Sequence, residues 1–148
     1  MKQVDFYLIS NQVADAKFKL ASRLANKLQR MEQRTLVITN NSLETDKLDE
    51  VMWSFSDASF LAHDKLSADN TNSTAAQIGD HGSVSAQVLD LDFDVLINLS
   101  DQVPVFNHHF TRIAEIVEQN ADAKAVARTR YKRYQSEGFE LKTHDIEL

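Results

Sequence analysis

Residues 4–39 read VDFYLISNQVADAKFKLASRLANKLQRMEQRTLVIT, two short apolar runs separated by an amphipathic segment. The first run, residues 4–9, is rich in β-formers and predicts a buried strand. From residue 15 to residue 31 the apolar side chains follow helical spacing, and lysines and arginines fill the opposite face. The second run, residues 34–39, predicts another strand. Strand, helix and strand in this order form a βαβ unit, and such crossovers build parallel sheets.

The βαβ unit lacks the glycine-rich loop that binds phosphate in many α/β proteins. The chain has three glycines, Gly79, Gly82 and Gly138, and none lies between the first strand and the first helix. Without glycine there, the backbone does not approach a pyrophosphate closely, so a dinucleotide fingerprint and a Walker loop are both excluded. The sequence predicts a nucleotide-binding-like topology without the phosphate loop and without a bound cofactor.

The rest of the chain extends the α/β pattern. A helix is predicted from Asn41 or Ser42, either of which is a suitable N-cap. Strands are predicted at residues 84–89, 95–99 and 111–118, a polar loop at residues 67–83, and a short apolar end at residues 139–141. The predicted fold class is a single α/β domain over residues 1–148, with three layers: a mostly parallel central sheet and helices on both faces.

A basic segment, KAVARTRYKRY, covers residues 124–134. In a helix, Lys124, Arg128, Tyr131 and Lys132 lie on one face and offer cations around an aromatic wall. Such a face suits a carboxylate-bearing peptide or a nucleic-acid backbone, because a guanidinium binds either through two charge-assisted hydrogen bonds. The alternative is a solvated helix whose charges only confer solubility.

A second segment, residues 53–63, is rich in large apolar side chains, among them Trp53, Phe55 and Phe60. Aromatic residues usually complete the core, and the sequence alone favours that interpretation. The alternative is that one or two of them emerge as anchors for a partner protein.

Composition excludes several classes of function. The chain has no cysteine, so disulfides and thiolate metal sites are absent. The formal net charge of −6 argues against broad DNA wrapping. Residues 1–39 carry seven basic and three acidic side chains, whereas residues 40–101 carry two basic and twelve acidic ones. This asymmetry still permits a local basic pocket.

No other motif indicates catalysis, metal binding or a membrane. The alternating Asp90, Asp92 and Asp94 lack the glycine of a calcium loop, and the adjacent His108 and His109 have no carboxylate at ligand spacing. No recognised nucleophile–base spacing is present, so we expect no catalytic residues and no enzyme. Because the chain shows neither a signal peptide nor a membrane span, we expect a cytoplasmic protein that binds no membrane.

Four segments together resemble a known family. The C-terminal ARTRYKRYQSEGFEL, the opening DFYLI, the central LDEVMWSF and the strand VLINL are similar to the chi subunit of bacterial DNA polymerase III. The resemblance covers essentially the whole chain. It implies a non-catalytic accessory subunit of the clamp-loader complex that binds no nucleotide and makes no sequence-specific DNA contact.

The resemblance also implies two partners and two sites. One partner is the acidic C-terminal tail of single-stranded DNA-binding protein. The other is the psi subunit, which connects chi to the clamp loader and so links the replisome to coated template. The tail would bind Val117, Lys124, Arg128, Tyr131 and Lys132, with Arg128 on its terminal carboxylate and its final Phe against Tyr131 and Val117.

The site for the psi subunit would comprise Trp53, Phe60 and Leu61. One residue departs from the family pattern here, because Ala62 stands where the family is expected to have proline. A different function also fits the residues: direct binding of single-stranded nucleic acid through the basic helices, with Tyr131 or Tyr134 stacking on bases.

Overall fold

The computed structural model describes residues 2–54, 63–66 and 76–148. Its opening βαβ unit consists of β1 (Gln3–Ile9), α1 (Ala16–Arg30) and β2 (Thr35–Thr39). All five residues of β2 are buried, as expected for a strand with both faces covered. The prediction for residues 4–39 is confirmed, and each boundary is correct to within one residue.

The remaining elements follow in chain order. They are α2 (Ser42–Ser54), β3 (His63–Lys65), β4 (Ala76–Asp80), α3 (Ala86–Leu89), β5 (Val95–Asn98), β6 (Arg112–Val117), α4 (Ala121–Ser136) and β7 (Glu140–Ile146). Asn41 caps α2 by accepting a hydrogen bond from the backbone N–H of Glu44 at 2.9 Å. Gly138 follows α4 with φ of +87°, a conformation that glycine adopts without strain.

The seven strands of the described residues form one sheet in the order β3-β4-β2-β5-β6-β1-β7, and every pairing among them is parallel. The predicted class, a three-layer α/β fold around a parallel sheet, is confirmed. The register of β1 places Phe6 between Glu115 of β6 and Thr143 of β7. Since paired residues point to the same face of a sheet, the side chains of these three residues share one side.

Each face of the sheet has its own apolar core. The side covered by α1 and α2, the α1 face, buries Ile9, Leu48 and Ile116 among others. The opposite side, the α4 face, buries Phe6, Val117 and Tyr134 among others. Alternate residues of β1 and β6 enter the two cores, as the two-residue period of a strand requires.

One strand lies inside the segment predicted as a polar loop. Residues 76–80 of that segment form β4, which pairs with β2 and β3. Gln77 is fully buried, and a Cβ at Gly79 would lie 2.8 Å from the Cδ1 of Leu66. The prediction was wrong because Gln77 and Gly79 interrupt the apolar pattern that indicates a buried strand. Gly79 nevertheless suits this strand, because its missing side chain lets Leu66 pack closely.

The prediction of a strand at residues 84–89 was also wrong. Ser85 accepts a hydrogen bond from the backbone N–H of Val88 at 3.2 Å and caps the short helix α3. The capping hydroxyl outweighs the β-propensity of the valines. The predicted apolar end at residues 139–141 is the beginning of a longer strand, β7, whose residues are mostly exposed.

The sequence alone favoured the core for the aromatic residues of segment 53–63, and for Trp53 this was wrong. The indole of Trp53 is 62% exposed, whereas Val51 and Met52 of the same helix are buried. Each residue advances an α-helix by about 100°, so Trp53 lies beyond the buried stripe. Phe55, Phe60, Leu61 and Ala62 lie outside the described residues.

Candidate functional site

A cavity of about 320 Å³ opens on the α4 face, between α4 and the strands β1, β6 and β7. This is the size range of small-ligand and side-chain pockets. It is lined by Phe6, Leu8, Val117, Lys124, Ala127, Arg128, Tyr131 and Thr143. Below, this feature is called the α4 cavity.

The floor of the α4 cavity is apolar and fixed in position. Phe6 of β1 and Val117 of β6 are each only 2% exposed. The ring of Tyr131 packs on Phe6 with 5.4 Å between ring centroids and an interplanar angle of 51°. Because the core holds Phe6, Tyr131 presents a fixed aromatic wall to the cavity.

The rim of the cavity is cationic. Lys124 and Arg128 lie one turn apart near the start of α4, and both are exposed. Among the residues that the structure describes, no carboxylate pairs with either of them. The site therefore offers two uncompensated positive charges beside an apolar floor, which suits a ligand with a carboxylate next to an apolar group.

Of the five residues assigned to the tail site from the resemblance, four line this one cavity: Val117, Lys124, Arg128 and Tyr131. Lys132 is exposed on the same helix but does not contribute to the lining.

Four lining residues were missed from the sequence: Phe6, Leu8, Ala127 and Thr143. Ala127 completes the helical spacing of Lys124, Arg128 and Tyr131, so that signal was present in the sequence. Phe6 and Leu8 alternate along β1 and share a face. Thr143 could not be identified from the sequence because β7 itself was not predicted.

A buried polar cluster fixes α4 on the sheet beneath the cavity. The fully buried carboxylate of Glu115 accepts hydrogen bonds from Arg130 Nε at 2.9 Å, Tyr134 Oη at 2.7 Å and Asn98 Nδ2 at 2.8 Å. Burial raises the pKa of Glu115, and the Arg130 guanidinium and these hydrogen bonds offset part of that effect. Arg130 belongs to this cluster and not to the surface.

The exposed indole of Trp53 marks a second surface, on α2 and thus on the α1 face. The His63 ring lies 4.8 Å from the Trp53 ring, and His63 Nε2 is 2.9 Å from Asp49 Oδ1. These contacts support the indole, which is 62% exposed. Trp53 and the α4 cavity therefore lie on opposite faces of the sheet.

Within the described ranges, no three histidine, aspartate or glutamate side chains come together as metal ligands. None of the helices described is both long enough and apolar enough to cross a lipid bilayer.

Comparison with solved structures shows the fold. The T4 protein in "The crystal structure of T4 UvsW" superposes with a TM-score of 0.70 at 10% identity, over 99% of this chain. The chain spans 41% of the length of that protein. At this identity the likeness concerns the fold alone.

Comparison with known sequences shows the family. DNA polymerase III subunit chi of Pseudomonas aeruginosa is 28% identical over 146 residues, covering 99% of this chain and 98% of that protein. The subunit of the same name from Haemophilus influenzae is 27% identical over 145 residues, covering 98% of each chain. Residues 1–142 match the family described as DNA polymerase III chi subunit, HolC. The chain belongs to the DNA polymerase III chi subunit family.

Proposed function

We propose that this chain is a non-catalytic accessory subunit that binds two proteins at once. The α4 cavity binds the acidic C-terminal tail of single-stranded DNA-binding protein. The surface around Trp53 binds the psi subunit, which attaches the chain to the clamp-loader complex. The observation that carries the proposal is the meeting of Lys124, Arg128, Tyr131 and Val117 around a single cavity.

The tail fits this cavity through two kinds of contact. Its terminal carboxylate binds the guanidinium of Arg128, which forms two parallel charge-assisted hydrogen bonds. The side chain of its last residue, Phe, enters the apolar floor between Val117 and Tyr131. Acidic residues upstream of that Phe face Lys124 and, beyond the cavity, Lys132.

The magnitudes agree with a contact that forms and dissolves readily. Burying the Phe side chain contributes about 1.5–3 kcal/mol, and a hydrogen bond to a charged group contributes about 1.5–3 kcal/mol. After the cost of association, an affinity on the order of micromolar is reasonable. Because the cationic rim is exposed, we expect binding to weaken as salt rises.

Direct binding of single-stranded nucleic acid by α4 has less support. Tyr134 is fully buried and donates its hydroxyl to Glu115, so its ring is not accessible to bases. Arg130, the central cation of the segment, is 5% exposed. Of the four cations left exposed on α4, Lys124 and Arg128 border the apolar cavity, whereas Lys132 and Arg133 lie outside its lining.

The test is Arg128→Ala, titrated calorimetrically with an acidic peptide that ends in Phe. Losing the carboxylate contact should weaken binding about 10- to 100-fold, the equivalent of ~1.4–3 kcal/mol. The matched control is Arg133→Ala, since Arg133 is exposed on the same helix and does not line the cavity. Equal affinity of Arg128→Ala and the unmodified chain would remove the α4 cavity from this role.

A further inference from the structure

The helix layer on the α1 face stops short of one edge of the sheet. α1 packs mainly on β2, β6 and α2. In the strand order β2-β5-β6-β1-β7, this leaves β1 and β7 beyond the helix. Tyr7 and Ile146, which point to this side, are only partly buried. No helix of the described residues lies over β7 here, whereas α4 covers β7 on the opposite face.

An open groove of about 590 Å³ runs along this uncovered part, between α1 and the two strands. Its floor is formed by Tyr7, Leu24 and Ile146. Its wall carries three cations of α1, namely Arg23, Lys27 and Arg30. A smaller cleft that shares Tyr7, Leu24 and Lys27 continues it towards Arg112 and the exposed Met31. Below, this feature is called the α1 groove.

Two of the three cations of the α1 groove, Arg23 and Lys27, are not paired with a carboxylate of the described residues. Arg23, Lys27 and Arg30 follow the spacing i, i+4, i+7 and form a row of about 10 Å along the helix. Asp5, the acid on the same face of β1, is occupied by His144 Nε2 at 2.9 Å and by the Gln3 amide.

The floor of the groove selects the conformation of a partner. Tyr7 and Ile146 stand on β1 and β7, whose backbone groups pair with each other. Along the floor these paired strands offer side chains, and the unpaired backbone groups of β7 lie only along the outer edge of the sheet, beyond the floor. A helix forms its backbone hydrogen bonds internally, and an apolar stripe along it can pack on this floor.

We propose that the α1 groove binds an acidic amphipathic helix of a partner protein, which lies beside α1 and continues the helix layer over β1 and β7. Its apolar stripe packs on Leu24, Tyr7 and Ile146. Its acidic residues face Arg23 and Lys27. This site is separate from the α4 cavity, which lies on the other face of the sheet, and the inference does not depend on the tail-binding function.

Nucleic acid fits the groove less well than such a helix does. A single strand requires accessible aromatic faces for its bases, but the ring of Tyr7 is stacked on His144 at 4.9 Å with 20° between the planes. The rest of the floor is aliphatic. The groove thus combines a cationic wall with a surface suited to leucine-like side chains, which is how amphipathic helices bind.

The probe is a helical peptide of about 18 residues, acetylated and amidated, with Leu at i, i+3, i+4, i+7 spacing and Glu and Ala elsewhere. Amidation removes the terminal carboxylate, so the peptide cannot bind the α4 cavity as a tail does. A second peptide carries Ser in place of every Leu. A thymidine oligonucleotide of about 20 nucleotides tests for nucleic acid.

Each probe is titrated against the full chain, against Arg23→Glu with Lys27→Glu, and against a control, Lys65→Glu with Arg133→Glu. The control changes net charge equally at exposed positions outside the groove. We expect the Leu peptide to bind and the groove variant to lose at least about tenfold in affinity, with the control unchanged. The Ser peptide should be weaker by a similar factor, and NMR shifts should map to α1 and β7.

Three results would overturn the proposal: no binding of the Leu peptide, equal binding by the groove variant, or equal affinity of the Leu and Ser peptides. Oligonucleotide binding that is lost in the groove variant, without peptide binding, would instead identify a nucleic-acid surface. Circular dichroism melting of every variant, with Lys27→Ala as a milder second variant, separates loss of binding from loss of fold.

Discussion

Arg128 and Arg130 lie two residues apart on α4 and have different roles. A step of two residues turns a helix by about 200°, so one guanidinium reaches the cavity rim and the other enters the core. Arg128 is exposed, whereas Arg130 is 5% exposed and contacts the buried Glu115 carboxylate. Arg128 is therefore available to a ligand, whereas Arg130 holds the helix on the sheet.

The residue that completes this anchor is Tyr134, and Tyr134→Phe tests it. Burial and the adjacent Glu115 raise the pKa of Tyr134, so its hydroxyl stays protonated and donates to the carboxylate. Removing that hydrogen bond should lower the free energy of unfolding by about 1.5–3 kcal/mol in urea. Tyr131→Phe is the matched control and should unfold at nearly the wild-type urea concentration. Equal stability of Tyr134→Phe and wild type would mean that the cluster does not anchor α4.

The volume of the α4 cavity depends on the small side chain of Ala127. Ala127→Leu projects extra carbons into the space between Val117 and Tyr131, and we expect it to weaken tail-peptide binding at least about tenfold. Ala125→Leu places the same side chain on an exposed part of α4 and should bind normally. Calorimetric titration distinguishes the two, and full affinity of Ala127→Leu would show that the Phe side chain does not enter here.

At the scale of elements, the start of α2 connects it to α1 and to the end of β2. Burial alone would raise the pKa of Glu44, but hydrogen bonds from the Asn40 backbone N–H and from Lys17 Nζ lower it below the ordinary value. The folded state therefore prefers the carboxylate. Its contribution to stability is present above the ordinary pKa of 4.5 and is lost as pH falls through the lowered value.

We expect Glu44→Gln to cost about 1 kcal/mol of unfolding free energy at neutral pH. The difference from wild type should shrink below pH 4.5, where the wild-type carboxyl is also protonated. Urea unfolding across this pH range measures the effect. Glu50→Gln, at an exposed position of the same helix, should show little difference at any pH. A Glu44→Gln difference that does not vary with pH would contradict the assignment.

How far the sequence predicted each element depended on its surroundings. β1, α1, β2 and β5 showed clear patterns because the core covers them fully or along one stripe. β7 showed none, because it is an edge strand whose α1 face is covered by no helix of the described residues, and its polar residues face solvent. β4 is buried, but its centre carries Gln77 and Gly79, which local propensity does not assign to a strand.

The candidate site followed the same rule. Helical spacing on α4 grouped Lys124, Arg128 and Tyr131 correctly around one cavity. The same spacing grouped Lys132 with them, although it lies outside the lining, because the spacing defines a broad face and not a cavity. The lining residues from β1 and β7 required the sheet order, which depends on contacts between residues more than 130 positions apart. The exposure of Trp53 likewise required the position of α2 on the sheet.

At the scale of the whole molecule, Trp53 and the α4 cavity lie on opposite faces of the sheet, and the two partners that we propose therefore have separate binding surfaces. We expect Trp53→Ala to weaken capture of the psi subunit at least about 30-fold, ~2 kcal/mol. Its affinity for the tail peptide should not change. Arg128→Ala should show the reverse pattern. The double variant should lose affinity for both partners, each by the same factor as in the corresponding single variant. Biosensor binding to each immobilised partner measures these changes, and loss of both partners in Trp53→Ala would indicate unfolding instead.

The most direct test of the α4 cavity compares two acidic peptides that end in Phe and differ only at the terminus, one a free carboxylate and the other an amide. The account predicts that the free acid binds with a dissociation constant on the order of micromolar and that the amide binds at least about tenfold more weakly. In Arg128→Ala the two peptides should bind equally weakly. Equal affinity of acid and amide for the unmodified chain would contradict the account, because the terminal carboxylate would then contribute nothing to binding and Arg128 would not recognise it.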